Sequence, residues 1–237
     1  MEDVFGKALM DYHAGNYTED IITFSSLDEK DCIPLPYLFR DIGEMPALEQ
    51  KALDLAHGKV LDIGCGAGSH ALYLQEKGLE VTALDSSAGA IHVCKKRGVA
   101  STNNQSILDY AEGSFDTLLL LMNGIGLAGS LKNLDAFLMH LASLLRPNGQ
   151  ILLDSSDIIY MFEQEEDGGY WIPSDVDYYG EVTFVMEYKN QKTAPFPWLY
   201  IDYDTLRNKC LANNLSCELI LLGPHYDYLA KLTLKEY

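Results

Sequence analysis

The sequence predicts a doubly wound α/β fold, a seven-stranded and mostly parallel sheet with helices on both faces, closed by an antiparallel hairpin. Three observations carry that expectation. Between Lys59 and Asp154, short apolar runs alternate with helix-period patterns at the spacing of βαβ units. A glycine-rich turn, Gly64-Cys65-Gly66-Ala67-Gly68, joins the first of these strands to its helix. Near the C-terminus, Ser216 to Leu222 and Tyr226 to Lys235 read as two successive strands, the closing hairpin.

Taken in order, the first core strand is Lys59 to Ile63, followed by a helix to Lys77 that stops at Gly78. Glu80 to Leu84 is the second strand, and Ser86 or Ser87 can cap the next helix, which ends in Lys95-Lys96-Arg97 before Gly98. A basic triplet at that end offsets the helix macrodipole. Ala100 to Asn103 forms a third strand, and the apolar run Phe115 to Met122, flanked by Gly113 and Gly124, suits a strand buried on both faces. After Asn133, Leu134, Phe137, Leu138, Leu141, Leu144 and Leu145 recur at helical spacing; Arg146-Pro147-Asn148-Gly149 then turns the chain into the strand Gln150 to Asp154. Asp202 or Asp204 starts a last helix, to about Asn213.

Two segments fall outside this repeat. Residues 1–57, with the turn-forming Ile33-Pro34-Leu35-Pro36 and a helix from about Pro46 to Ala56, read as an N-terminal helical cover over a core of residues 58–237. Residues 155–201, rich in Tyr, Trp, Pro and Gly, read as a lid inserted after the fifth strand, with an antiparallel ribbon from Glu181 to Tyr188 turning through Asn190-Gln191.

Composition narrows the function. The 237 residues are 48% hydrophobic and 22% charged, globular proportions, and no apolar stretch approaches the length of a bilayer span. The opening Met1-Glu2-Asp3-Val4 lacks the features of a secretory signal, so a cytoplasmic location is expected. Five cysteines, Cys32, Cys65, Cys94, Cys210 and Cys217, show neither paired nor metal-like spacing, which predicts reduced thiols and no metal. A formal charge of -18 would repel a phosphate backbone, so nucleic acid is not an expected partner.

The chemistry is concentrated around the glycine turn. Glycines there let backbone approach a ligand laid across the strand ends. Asp85, 21 residues after Gly64, ends the second strand and is placed to accept hydrogen bonds from ribose hydroxyls, which suits both NAD and S-adenosylmethionine. The third glycine comes one residue too early for GxGxxG, since Ser69 holds the final position, and the carboxylate Asp62 precedes the loop. With the terminal hairpin, these features resemble the class I S-adenosylmethionine-dependent methyltransferases, whose glycine motif is similar to Val60-Leu61-Asp62-Ile63-Gly64-Cys65-Gly66-Ala67-Gly68. Their approach to strand five is similar to Leu144 to Leu153. The likeness covers Lys59 to Asp154 and the C-terminal end.

That resemblance implies a Rossmann-like core, S-adenosylmethionine as cofactor, and methyl transfer by in-line displacement. It implies cofactor contacts at Asp62, Gly64, Cys65, Gly66, Gly68, Asp85 and Ser86, and at Met122 and Asn123 just past strand four. Where many relatives carry an acidic residue for adenine, this chain reads Asn104-Gln105-Ser106-Ile107-Leu108-Asp109, so Gln105 and Ser106, or else Asp109, stand in. Arg40 is a candidate partner for the methionyl carboxylate, its alternative being a surface pair with Asp41 or Glu44.

Candidate catalytic groups are Asn123, whose amide would orient an acceptor or cap its loop, and Asp154, as a base or a turn former. His70 reads as a packing residue. From the lid, Tyr160, Trp171 and Trp198 are candidate substrate contacts, within a set that includes Tyr170, Tyr178, Tyr179 and Phe196. The acidic balance and the aromatic insertion favour a small-molecule methyl acceptor. Two alternatives stand beside this reading. One is a non-catalytic sensor or scaffold that binds the same cofactor. The other is an NAD(P)-dependent oxidoreductase, against which the YxxxK string Tyr73 to Lys77 lies on the wrong helix.

Overall fold

The computed structural model describes residues 2–165, 167–172 and 176–235; Met1, part of the leader reading, lies outside them. The chain opens with helix α1 (Val4–His13), whose first turn is capped by Asp3 accepting from the Gly6 amide at 2.9 Å. A hairpin follows, β1 (Ile21–Ser25) and β2 (Lys30–Ile33), then a single turn α2 (Leu35–Leu38) and helix α3 (Ala47–Leu55). The N-terminal section thus contains, besides its helices, a pair of strands that the sequence reading did not place.

The core then runs β3 (Lys59–Ile63), α4 (Ser69–Glu76), β4 (Glu80–Asp85), α5 (Ala88–Arg97), β5 (Ser101–Asn104), β6 (Phe115–Leu120), α6 (Leu131–Ser143) and β7 (Leu145–Ser156). The insertion supplies β8 (Glu181–Tyr188), β9 (Gln191–Lys192) and β10 (Phe196–Leu199), and the chain finishes with α7 (Tyr203–Ala212), β11 (Leu215–Leu222) and β12 (Asp227–Leu234). The main sheet has seven strands in the order β11-β12-β7-β6-β3-β4-β5, parallel from β7 to β5, with β12 antiparallel to both neighbours. The strand order steps away in both directions from the β6/β3 junction, and the doubly wound sheet with its closing hairpin is as expected.

Burial explains the order. β6 sits at the centre because Phe115, Thr117, Leu118, Leu119 and Leu120 are all buried, a near-continuous apolar run that only a strand covered on both faces can hide. On one face Leu134, Phe137, Leu138 and Leu141 of α6 join the core; on the other, Ala52 and Leu53 of α3 pack with Leu74 of α4. The start of α6 lies earlier than Asn133: Ser130 is the cap, its hydroxyl accepting from the Asn133 amide at 3.3 Å. Arg146 to Gly149 do not end β7 but form an irregularity inside it, with Leu145 already paired to Phe115 and Asn148 left-handed at φ 63°.

A second, antiparallel sheet has the order β10-β8-β1-β2, with β9 hydrogen-bonded to β8. It is built from two distant stretches of the sequence, the N-terminal hairpin pairing directly with the insertion through β1 and β8. The ribbon turns at Lys189 and Asn190, both at positive φ (47° and 61°), the backbone that a tight hairpin demands. No helix among the described residues is long and apolar enough to cross a membrane.

Candidate functional site

The glycine turn connects β3 to α4 at the carboxyl ends of the parallel strands, where ligands of such sheets lie. Gly64, Gly66 and Gly68 all take positive φ (72°, 54° and 82°), and the amides of Gly64 and Cys65 donate to the Leu84 carbonyl at 2.8 and 3.1 Å. Asp85 braces the turn from the next strand: its Oδ2 accepts from the Gly66 amide at 3.0 Å and its Oδ1 from the Ser87 amide at 2.8 Å. Burial pushes the Asp85 carboxyl up, and those two amide bonds pull against it. Asp3 adds a third support, its Oδ2 accepting from the Ser87 hydroxyl and the Gly89 amide, each at 2.8 Å. This ties the N-terminal helix to the edge of the site.

Gly64, Asp85, Ser86, Gln105, Ser106 and Leu127 line one narrow cleft of about 60 Å³. Five of the expected cofactor contacts therefore converge. Within the cleft, Gln105 Nε2 donates to the Asp109 carbonyl at 2.7 Å and Ser106 Oγ accepts from the Leu108 amide at 3.2 Å. Asp109 itself is exposed and takes part through its backbone. The Cys65 side chain turns inward, its sulfur 3.7 Å from that of Cys94, and that neighbour together with burial pushes the thiol up. Arg97, from the basic triplet, donates to the Ala67 carbonyl at 2.6 Å and lies over the Phe39 ring, so it fastens the glycine turn as well as ending its helix.

Behind the turn lies a buried polar group set. Arg40 is 5% exposed, and its guanidinium pairs with Glu49 and stacks on Tyr37 at 3.8 Å. Its ion pair is thus with Glu49, and the surface pair with Asp41 or Glu44 does not form. Glu49 also shares a 2.7 Å hydrogen bond with His70 Nε2, so His70 is a partner in this network rather than apolar packing. Burial would raise Glu49, but His70 and Arg40 outweigh it and hold the carboxyl below its ordinary value. Two buried polar atoms among the described residues have no partner, Arg40 Nε and Asp62 Oδ2. Burial pushes Asp62 up to about 6, against the pull of His70.

Past β6, Met122 and Asn123 both occupy the left-handed region (φ 62° and 58°). Asp154, at the end of β7, holds them there: its Oδ1 accepts from the Asn123 amide at 2.7 Å and its Oδ2 from the Met122 amide at 3.2 Å. Burial pushes Asp154 up to about 7, with the loop amides pulling it back. Asn123 is occupied at both ends of its amide, Nδ2 donating to the Leu199 carbonyl at 3.2 Å and Oδ1 accepting from Ser155 Oγ at 3.0 Å. Asn123 thus fastens its loop through both ends of its amide, and Asp154 clamps the loop through the amides it accepts from.

Met122 and Asn123 border a larger cavity, of about 530 Å³, between the strand ends and the antiparallel sheet. Tyr160 and Trp198, two of the three predicted substrate contacts, line it, and so does Phe196. Trp171 does not: it is 59% exposed and its amide donates to the Glu163 carbonyl. Tyr178 and Tyr179 face the other way, their hydroxyls donating to Asp202 (2.6 Å) and Asp157 (2.8 Å), which latches the insertion to the cap of α7. Sequence reasoning missed the contribution of Thr23, Ser25, Glu29 and Asp31. The β-branched run Ile21-Ile22-Thr23 was the available signal.

Comparison with known proteins bears on this arrangement. A family model described as a methyltransferase domain matches residues 60–149. A crystal structure of a SAM-dependent methyltransferase from Bacteroides fragilis, in complex with S-adenosyl-L-homocysteine, is 44% identical, with 98% of this chain and 94% of that chain aligned and a TM-score of 0.90. A sugar N-methyltransferase from Streptoalloteichus shares the fold at 15% identity and a TM-score of 0.59, over 82% of this chain and 90% of its own. A ubiquinone biosynthesis O-methyltransferase of Xanthomonas oryzae pv. oryzae is 31% identical over 111 residues, 44% of this chain and 45% of that protein. The chain thus spans less than half the length of the curated relatives it matches.

Proposed function

This chain belongs to the S-adenosylmethionine-dependent methyltransferases, and on that premise we propose that it methylates a small molecule held in the cavity beneath its antiparallel sheet. The cofactor when bound supplies a methyl group on a sulfonium, electrophilic enough that the protein's work is alignment and exclusion of water.

The fit of the cofactor to this chain rests on its orphaned atoms. An amino-acid end presents an ammonium and a carboxylate, and among the described residues the two buried side-chain polar atoms without partners are a carboxylate oxygen on Asp62 and the Nε donor of Arg40. In this reading Asp62 takes the ammonium and Arg40 the carboxylate, while Glu49 fixes the direction of the guanidinium. Gly64 and Gly66 give backbone clearance, Asp85 accepts from the ribose hydroxyls, and Ser86, Gln105 and Ser106 border the base.

The observation that carries the acceptor half is the position of the 530 Å³ cavity. Its volume lies in the range of small-molecule sites, and Met122 and Asn123 border it at the strand end where this family transfers its methyl. Met122 and the aromatic wall exclude water, and the clamp at Asp154 keeps the loop in one conformation. No side chain here needs to act as a base for an acceptor that arrives with a free lone pair.

The test is transfer of labelled methyl from S-adenosylmethionine into a metabolite extract, with product bound to small molecules rather than protein or RNA. Label in a low-molecular-weight fraction is the expected result. Tight S-adenosylhomocysteine binding with no labelled product of any kind would leave the sensor reading in its place.

A further inference from the structure

The roof of the cavity carries chemistry that narrows the acceptor further, and the argument rests on the acceptor reading above. Strand alternation decides which residues face inward. Thr23 pairs with Asp31 on one side and Met186 on the other, Ser25 with Phe184, Phe184 with Phe196, and Val182 with Trp198; all of them line the cavity. Four rings form a chain along this wall, Trp198 to Phe196 to Phe184 to Tyr200, with successive centroids 6.4, 6.3 and 6.4 Å apart. Glu29 lies opposite Ser25, whose amide donates to its carbonyl, and borders the cavity with Asp31.

The intervening Lys30 also borders the cavity, with its ammonium 5.8 Å from the Phe24 ring. The remaining cations of this sheet are also engaged, Lys192 with Glu187 and Lys189 with Asp11. Among the described residues no cation pairs with Glu29 or Asp31, and the charged groups bordering the cavity, two carboxylates and the Lys30 ammonium, leave a net negative charge beside four aromatic faces. Both elements attract a cation, the carboxylates by charge and the rings through their quadrupoles, and both repel an anion. Tyr200 stays protonated within this wall: burial first, then the neighbouring Tyr160 and Asp31, pushes it up to about 12.

We propose that the cavity selects acceptors bearing a cationic amine beside a flat apolar body, with Asp31 and Glu29 as its specificity-determining carboxylates. The apolar body lies against Phe184, Phe196 and Trp198, and the ammonium reaches toward β2.

Calorimetric titration of the S-adenosylhomocysteine-loaded protein with tryptamine, indole-3-ethanol and indole-3-acetate tests this, since the three differ in charge on one ring system. The amine should bind at least about tenfold more tightly than the alcohol, with the acid weakest, and the double variant Asp31→Asn/Glu29→Gln should bring amine and alcohol to parity. Equal affinities in the native protein, a preference for the acid, an unaltered preference in the variant, or no amine binding up to about 10 mM would each overturn the proposal. S-Adenosylhomocysteine titration of the same variant verifies its folding. In the labelled-extract experiment, methylated products retained on a cation exchanger support the proposal and labelled products that flow through contradict it. The absence of any labelled product instead contradicts the transfer reading.

Discussion

Replacing Asp154 tests whether this carboxylate acts as a clamp or as a base. In the structure it accepts from the amides of Asn123 at 2.7 Å and Met122 at 3.2 Å, holding two consecutive residues at φ 58° and 62°. Asp154→Ala leaves both donors without an acceptor, at roughly 1–3 kcal/mol each. Relaxation of the loop recovers part of that, because left-handed backbone at a non-glycine residue stores about 1–3 kcal/mol. The net loss is about 2–4 kcal/mol, or roughly 5–15 °C in Tm at about 2–4 °C per kcal/mol for a chain of this size. Differential scanning fluorimetry reads the stability, and acceptor KM reads the loop, since Met122 and Asn123 border the cavity. Asp154→Asn keeps the volume and one acceptor oxygen, so it should lower Tm by about half as much and raise KM, while kcat at saturating acceptor falls less than about tenfold. A general base behaves in the opposite way, losing about 100- to 10,000-fold in kcat with little change in stability. An Asp154→Ala protein with native Tm and native KM would refute the clamp.

Three further outcomes are expected. Burial pushes Asp62 up to about 6 and Asp154 up to about 7 from an ordinary 3.8, so ionising them costs stability in the folded state only. Their contribution is fully present below about pH 4 and is lost as the pH rises through about 6 and 7, and in denaturant titrations Asp62→Asn should flatten the lower part of that slope. If Asp62 takes the cofactor's ammonium, S-adenosylhomocysteine affinity should rise about tenfold from pH 5 to pH 7 in the native protein and stay level in Asp62→Asn; equal slopes in both remove the assignment. Gly126→Ala would place a methyl 2.1 Å from Trp198 Nε1, forcing the indole off its seat. Acceptor KM should rise at least about tenfold while calorimetry gives unchanged S-adenosylhomocysteine affinity, and a native KM would show that Trp198 has no part in the acceptor site.

The sequence by itself determined the core and marked the candidate donor site, because both are written locally. Period-two and helical runs name the strands and helices, the apolar run Phe115 to Met122 marks the middle of the sheet, and the spacing from Gly64 to Asp85 is the length of one βαβ step. Helix caps at Ser87 and Asp202 were legible for the same reason, since a cap bonds only three residues ahead. What the tertiary structure decided is non-local. Ile21 to Ser25 becomes the middle of a sheet only because Glu181 to Tyr188, more than 150 residues later, supplies its partner strand, and that pairing turns Asp31 and Glu29 toward the cavity. Arg40 and His70 acquire their roles through Glu49, on a different helix, where burial makes each charge depend on the others. Asn123 and Asp154 looked reactive as isolated residue types; that both also hold a loop in the left-handed region, Asn123 through the Leu199 carbonyl and Asp154 through the loop amides, shows only once every neighbour is in place.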